Sequence, residues 1–119
     1  MYANGLVNSW ASSIKYRDPM RMLQFYSDDA ILLATYSNLL IGKDEILDYF
    51  ISFLNKEGLN CTITDYYTQR IGMNSVCSGL YNFSFYEAGQ YKLVKARFTY
   101  VIRDNEIVTH HSSEQPINQ

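Results

Sequence analysis

The chain has 119 residues, 47% of them hydrophobic and 18% charged, with a formal net charge of -2. That hydrophobic share excludes a disordered chain, and the acidic balance, with no cluster of Lys and Arg, excludes a nucleic-acid footprint. A chain of this size buries about 65% of its unfolded surface, so residues 1–119 are expected to form a single domain with a core of its own.

The elements follow from periodicity. Leu6, Val7, Trp10, Ala11 and Ile14 recur at helical spacing and predict a first amphipathic helix. Asp18 before Pro19 has the chemistry of an N-cap and first helical position, predicting a second helix to about Tyr26. A strand is expected over 30–36, with Asp28 and Asp29 in the turn before it. Ile46, Leu47, Phe50, Phe53 and Leu54 predict a third helix over 43–57, closed by Gly58 as C-cap. The texture then changes to long strands over 61–71, 75–86, 90–103 and 106–113. Their turns, at 72–74, 87–89 and 104–105, contain Gly, Asn or Asp. Helices first and a meander later define an α+β class, with three N-terminal helices packed on one face of a mostly antiparallel sheet.

A sheet with one wet face alternates cleanly, and these strands do not. Val94, Ala96, Phe98, Tyr100 and Ile102 share a face, while the opposite one mixes Tyr91, Leu93 and Val101 with Lys95, Arg97 and Thr99. Cys77, Gly79, Tyr81, Phe83 and Phe85 share a face in the strand before, yet Leu80 and Tyr86 lie opposite. Both faces therefore need cover. The helices supply one, and a second copy of the chain is the simplest supplier of the other, so a homodimer or larger homo-oligomer is expected.

Arg97 interrupts an apolar strand and needs either solvent or a partner. It is read as a rim arginine or as a cationic anchor for an acidic ligand. His110 and His111 are both histidines of the chain and face opposite sides of their strand. Whichever faces a cavity is a candidate general base or hydrogen-bond donor, against the plainer reading of a histidine satisfied by a backbone carbonyl. Asp65, within a predicted strand, is the carboxylate that is a further candidate acid or base. No metal site is expected, because adjacent strand histidines cannot share one ion and no third ligand is spaced for it. Cys61 and Cys77 lack metal or redox spacing and read as two small buried hydrophobes. No phosphate-binding or nucleotide glycine pattern is present, and no cofactor is expected. No apolar run approaches the ~18 residues of a membrane span, and Met1 to Trp10 carry no secretory pattern. A soluble, cytoplasmic protein without membrane or nucleic-acid partners is the expectation.

This order of elements resembles the nuclear transport factor 2-like superfold, a curved sheet around a cone-shaped pocket also used by ketosteroid isomerases, scytalone dehydratase and SnoaL-like polyketide cyclases. Three segments are similar to bacterial relatives of the association (hub) domain of calcium/calmodulin-dependent protein kinase II. They are Ser37-Asn38-Leu39-Leu40-Ile41-Gly42-Lys43-Asp44 leading into Tyr49-Phe50, then Ala96-Arg97-Phe98-Thr99 with Val101, then His110-His111-Ser112-Ser113 with Pro116. The resemblance covers essentially the entire chain. It implies an oligomer built from dimers, closing into rings in the kinase, with a polar pocket in each subunit. Arg97 matches one of the hub's pocket arginines, while Tyr81 and Ser112 stand where the hub has two others. The resemblance thus implies a pocket lined by Tyr81, Arg97 and Ser112, with His110 on the Ser112 side. Trp10 and Tyr26 are candidates for its apolar wall, though each fits the core equally well.

Two functions follow as expectations. One is a stand-alone association-domain-like protein that oligomerises and binds a small molecule, with a carboxylate held by Arg97. The other is an isomerase, dehydratase or cyclase acting on a small organic substrate. There a histidine or Asp65 abstracts a proton and Tyr81 or Arg97 stabilises the oxyanion.

Overall fold

In the computed structural model, which describes residues 3–116, Leu6, Val7, Trp10 and Ala11 fall on one side of α1 (Ala3–Ser13) and are all buried. A 3-10 turn (Ile14–Tyr16) ends at Arg17, whose left-handed backbone redirects the chain. Asp18 caps α2 (Pro19–Leu23) by accepting from the backbone N–H groups of Met20 and Arg21. This helix is shorter than expected. It stops at Leu23, and Tyr26 begins a strand instead of ending a helix.

That strand, β1 (Tyr26–Leu33), also contains Asp28 and Asp29, which the sequence placed in a turn. They are accommodated because the pairing of β1 with the last strand shifts register between Tyr26 and Ile31, leaving both exposed. Asp28 there meets Lys43 at 3.5 Å. A short β2 (Leu39–Ile41), not anticipated, pairs back on β1. The third helix, α3 (Lys43–Phe53), ends at Leu54, so Gly58 is not its cap. Gly58 sits at φ 66° inside β3 (Glu57–Ile71), where the register with β4 slips, against the ring of Tyr86.

The expected meander is present as β3, β4 (Asn74–Glu87), β5 (Gln90–Arg103) and β6 (Glu106–Glu114). The six strands form one sheet in the order β2-β1-β6-β5-β4-β3, antiparallel except where β1 runs parallel to β6. The helices pack on its concave side, giving the α+β cone that the sequence anticipated. Two further bulges shape the sheet, since an extra residue bends and twists its strand. Thr64 is unpaired between Ile63 and Asp65, and Val108 between Ile107 and Thr109. Gly79 lies opposite the first, where a Cβ would fall on the carbonyl oxygen of Asp65. Among the described residues no helix is long and apolar enough to cross a membrane.

Cross-strand pairing assigns each residue to a face. Tyr81 pairs with Ala96, and His110 with both Tyr100 and Leu32, all buried on the helix side. Leu80 pairs with Arg97 and Arg97 with Ser113, while His111 lies between Thr99 and Leu33, all on the outer side.

Candidate functional site

Between the concave side of the sheet and helices α1 and α3 lies a cavity of about 370 Å³, at the small end of ligand pockets. Its floor is Trp10 from α1, Tyr26 from β1, Tyr81 from β4 and His110 from β6, each at most 2% exposed. Leu32, Phe50 and Phe83 form walls, with Tyr49 and Phe53 from α3. Tyr36, Ser37 and Lys56 line the exposed mouth.

The floor is tied together by hydrogen bonds. Trp10 Nε1 donates to the Tyr26 hydroxyl at 3.0 Å. That hydroxyl meets His110 Nδ1 at 2.9 Å, and the other ring nitrogen, Nε2, meets the Tyr81 hydroxyl at 3.2 Å. Tyr100 stacks on the imidazole with centroids 3.9 Å apart, and Trp10 stacks on Tyr81 at 5.9 Å. Ser112 Oγ and Thr35 Oγ1, 2.9 Å apart, continue the polar row along the wall.

Burial sets the protonation of this floor, because desolvation disfavours whichever form is charged. It lowers the pKa of His110 to about 3, with the charge of neighbouring His111 adding to the effect. Burial also raises the phenols of Tyr26, Tyr81 and Tyr100 well above their ordinary value. At neutral pH the floor is therefore uncharged, holding one neutral imidazole between two phenols.

Lys56 alone brings charge to the cavity wall; no Asp or Glu lines it. Its ammonium lies 5.0 Å from the ring centroid of Phe85 and 6.0 Å from that of Phe53, and it makes no ion pair among the described residues. Aromatic faces attract a cation and hold it in place.

Of the residues singled out by sequence, Trp10, Tyr26, Tyr81, His110 and Ser112 are brought together in this cavity. Arg97, His111 and Asp65 are not. Arg97 is exposed on the outer side, its Nε donating to Ser113 Oγ at 3.0 Å. Tyr81 faces inward opposite Ala96, so the next residue, Arg97, must face outward, and the grouping of Arg97 with Tyr81 and Ser112 is corrected accordingly. His111 is exposed on that same side. Asp65 is carried outward by the bulge at Thr64 and pairs with Leu80. Cys61 and Cys77 are free and buried. Among the described residues no group of three or more His, Cys, Asp or Glu is placed to hold a metal ion. Lys56, Tyr49, Phe53 and Thr35 escaped the sequence reading. The available signal was a lysine a few residues beyond the end of an aromatic helix.

An α+β cone with an aromatic cavity is the layout of the nuclear transport factor 2-like superfamily. The profile of the SnoaL-like domain matches residues 3–118, and the chain belongs to that family. A candidate calcium/calmodulin-dependent protein kinase II association domain from Xanthomonas campestris is similar, with 28% identity and a TM-score of 0.85, over 97% of this chain and 86% of that one. A candidate dehydratase of the same superfamily from Streptomyces avermitilis shares the fold at 16% identity and a TM-score of 0.83, over 95% and 94% of the two chains. A ketosteroid isomerase-like protein from Erwinia carotovora atroseptica shares it at 13% identity and 0.80, over 96% and 94%. No curated protein matches the chain in sequence.

Proposed function

We propose that this protein binds a compact, largely aromatic or alicyclic carboxylate in its cavity and associates with copies of itself. The observation that carries the binding reading is the cavity wall, rich in aromatic rings, uncharged at its floor and bearing one cation, Lys56, at its mouth. With no carboxylate lining the cavity, an ammonium ligand finds repulsion at the mouth and no counter-ion within. An anionic group meets Lys56 in a half-buried setting, where a charge-assisted contact is strong. Lys56 thus takes the anchoring role that the sequence suggested for Arg97.

The test uses Trp10, the chain's one tryptophan, as a built-in fluorescent reporter on the cavity floor. Para-acetylbenzoate is expected to bind about tenfold more tightly than its methyl ester. Lys56→Gln should erase that preference and Arg97→Ala should leave it intact. Equal affinity for acid and ester in the unaltered protein refutes the anchor.

Self-association is supported by the outer side of the sheet. Ile31, Leu33, Leu39 and Ile41 are 36%, 38%, 54% and 55% exposed there, beside half-buried Val76, Leu80 and Val101. An exposed apolar patch on a sheet face marks an interface, and the Xanthomonas campestris protein is itself described as an association domain. Light scattering is expected to give at least a dimer, and Leu33→Glu to shift it to monomer. A monomeric unaltered protein at high concentration ends this part of the reading.

The isomerase, dehydratase or cyclase reading has one observation in its favour, the phenol–imidazole contact between Tyr81 and His110 at the floor. It lacks a base. Both nitrogens of His110 are engaged and its pKa is lowered to about 3, while Asp65 and His111 lie outside the cavity. Protein-dependent exchange of the methyl protons of para-acetylbenzoate for deuterium would reverse that judgement.

A further inference from the structure

Three rows of residues cross the outer side of the sheet, and His111 stands in the middle of the middle one. Strand pairing aligns Ile41, Ile31, Thr109, Val101 and Val76 in the first row. It aligns Leu39, Leu33, His111, Thr99 and Ser78 in the second, and Ser113, Arg97 and Leu80 in the third. The apolar members therefore form two groups, one on β1 and β2 and the other on β4 and β5, with the polar outer residues of β6 between them. Neither group serves a dimer alone. Strands lie about 4.8 Å apart, and β2 has only three residues. Two such strands are too narrow for the roughly 800 Å² per copy that a stable interface buries. Covering both groups requires a contact centred on β6.

When two identical sheet faces meet, the two-fold axis lies in the plane between them, and a residue beneath it meets its own copy. An axis over the centre of this face passes over His111, whichever way it runs in that plane. Run along β6, it also sets Ile31 against the partner's Val101 and Ile41 against the partner's Val76. We propose that two copies pack through this face with His111 against the partner's His111, and that the contact forms near neutral pH and is released in mild acid. The proposal rests on the self-association reading above and adds the residue at its centre and its control. Histidine gains its charge between pH 5 and 8. Charged neighbours on its side are few. β5 brings Arg97, one row away, and Lys95 beyond it; β3 brings Asp65, three strands away; β1 brings Asp29, beyond Ile31. Within the three rows, β2, β4 and the rest of β6 bring none. A protonated His111 thus meets a second imidazolium and two nearby guanidinium groups while losing water, with no carboxylate in the rows to offset them. Both copies must be neutral to associate, so the dimer binds fewer protons than two monomers and weakens as pH falls.

Light scattering over a dilution series at about pH 7.5 and about pH 5.5, on either side of the histidine range, reads the release directly. The dissociation constant is expected to rise at least about tenfold in acid, since each histidine contributes up to tenfold per pH unit once it charges. His110 does not titrate in that window, because burial has lowered its pKa to about 3, and ordinary carboxylates titrate below it. His111→Gln, polar but never charged, should associate equally at both pH values, and His111→Lys should be monomeric at both. His111 is exposed, so neither substitution disturbs the core. A short bismaleimide should join two copies of His111→Cys at neutral pH and leave the unaltered protein, whose Cys61 and Cys77 are buried, unjoined. A dimer equally strong at both pH values, or a pH dependence that survives His111→Gln, overturns the role of the histidine. Failure of the bismaleimide to join His111→Cys overturns its place at the axis. A monomeric unaltered protein at neutral pH and high concentration refutes the self-association reading and the acid release together.

Discussion

Acidification from about pH 6.5 toward about pH 3 is expected to remove stability through His110 at about 1.4 kcal/mol per pH unit. The imidazole is buried between Tyr26 and Tyr81, under the ring of Tyr100, and remains neutral in the folded protein down to about pH 3. In the unfolded chain it takes up a proton near its ordinary value of 6.5. Between those two values the unfolded state holds more protons than the folded one, so stability rises with pH across the window and is lost as pH falls. Urea denaturation at a series of pH values reads the effect directly. Carboxylates also titrate in acid, so the comparison that isolates His110 is with His110→Gln. The variant should be less stable at neutral pH, because two phenols lose their partner, yet its stability should fall less steeply with acid. Parallel pH profiles for the two proteins would show that the buried imidazole is protonated at little cost.

Replacing Gly79 by Ala is expected to cost about 3 kcal/mol and to lower Tm by roughly 10 °C. The reason is local and steric. The backbone of β3 crosses Gly79 at the Thr64 bulge, and a methyl group there meets the carbonyl oxygen of Asp65, which is backbone and has no rotamer to change. The strand must move, and Tyr81, two residues along on the same face, moves with it. Gly89→Ala is the matched control. That glycine has φ 77° at a hairpin turn with open space around it, so only the backbone preference is lost, about 1 kcal/mol. If the two substitutions cost the same, the close approach at Gly79 has no energetic weight.

What was legible in the sequence was periodic. The alternation through 75–86 and 90–103 located β4 and β5 almost to the residue, because long strands with one buried face repeat the same signal many times. The cap at Asp18 was equally plain, since aspartate is a favoured N-cap and proline a favoured first helical residue. The misses occurred where periodicity breaks. Gly58 resembles a helix cap but serves a register slip inside a strand, and both roles ask for a left-handed backbone. Asp65 lies in a strand whose alternation changes at Thr64, so its side of the sheet cannot be read by parity from Cys61. Lys56 lies between the end of a helix and the start of a strand, where neither pattern says which way a side chain points. The site was therefore half readable. Its aromatic floor lay on periodic elements, while its single cation did not. The misplacement of Arg97 was of another kind, because the register that pairs Tyr81 with Ala96 already sends Arg97 to the far side, and a family likeness at that position carried more weight than parity.

The unpaired Val108 works as a phase shifter in β6. Upstream of it Ile107 faces the core opposite Ile102, and downstream of it the count of two is displaced by one, so that His110 faces Tyr100. A regular ladder through that point, with Val108 drawn into pairing opposite Val101, would carry the alternation on unbroken. Thr109 would then take the place opposite Tyr100, and His111 would face inward opposite Phe98. The imidazole would leave the reach of Tyr26, and the hydrogen bonds running from Trp10 would end at that phenol. The chemistry of the cavity floor thus depends on a bulge at a valine that does not line it, and register alone, with no change of side-chain identity, decides which residues a pocket receives.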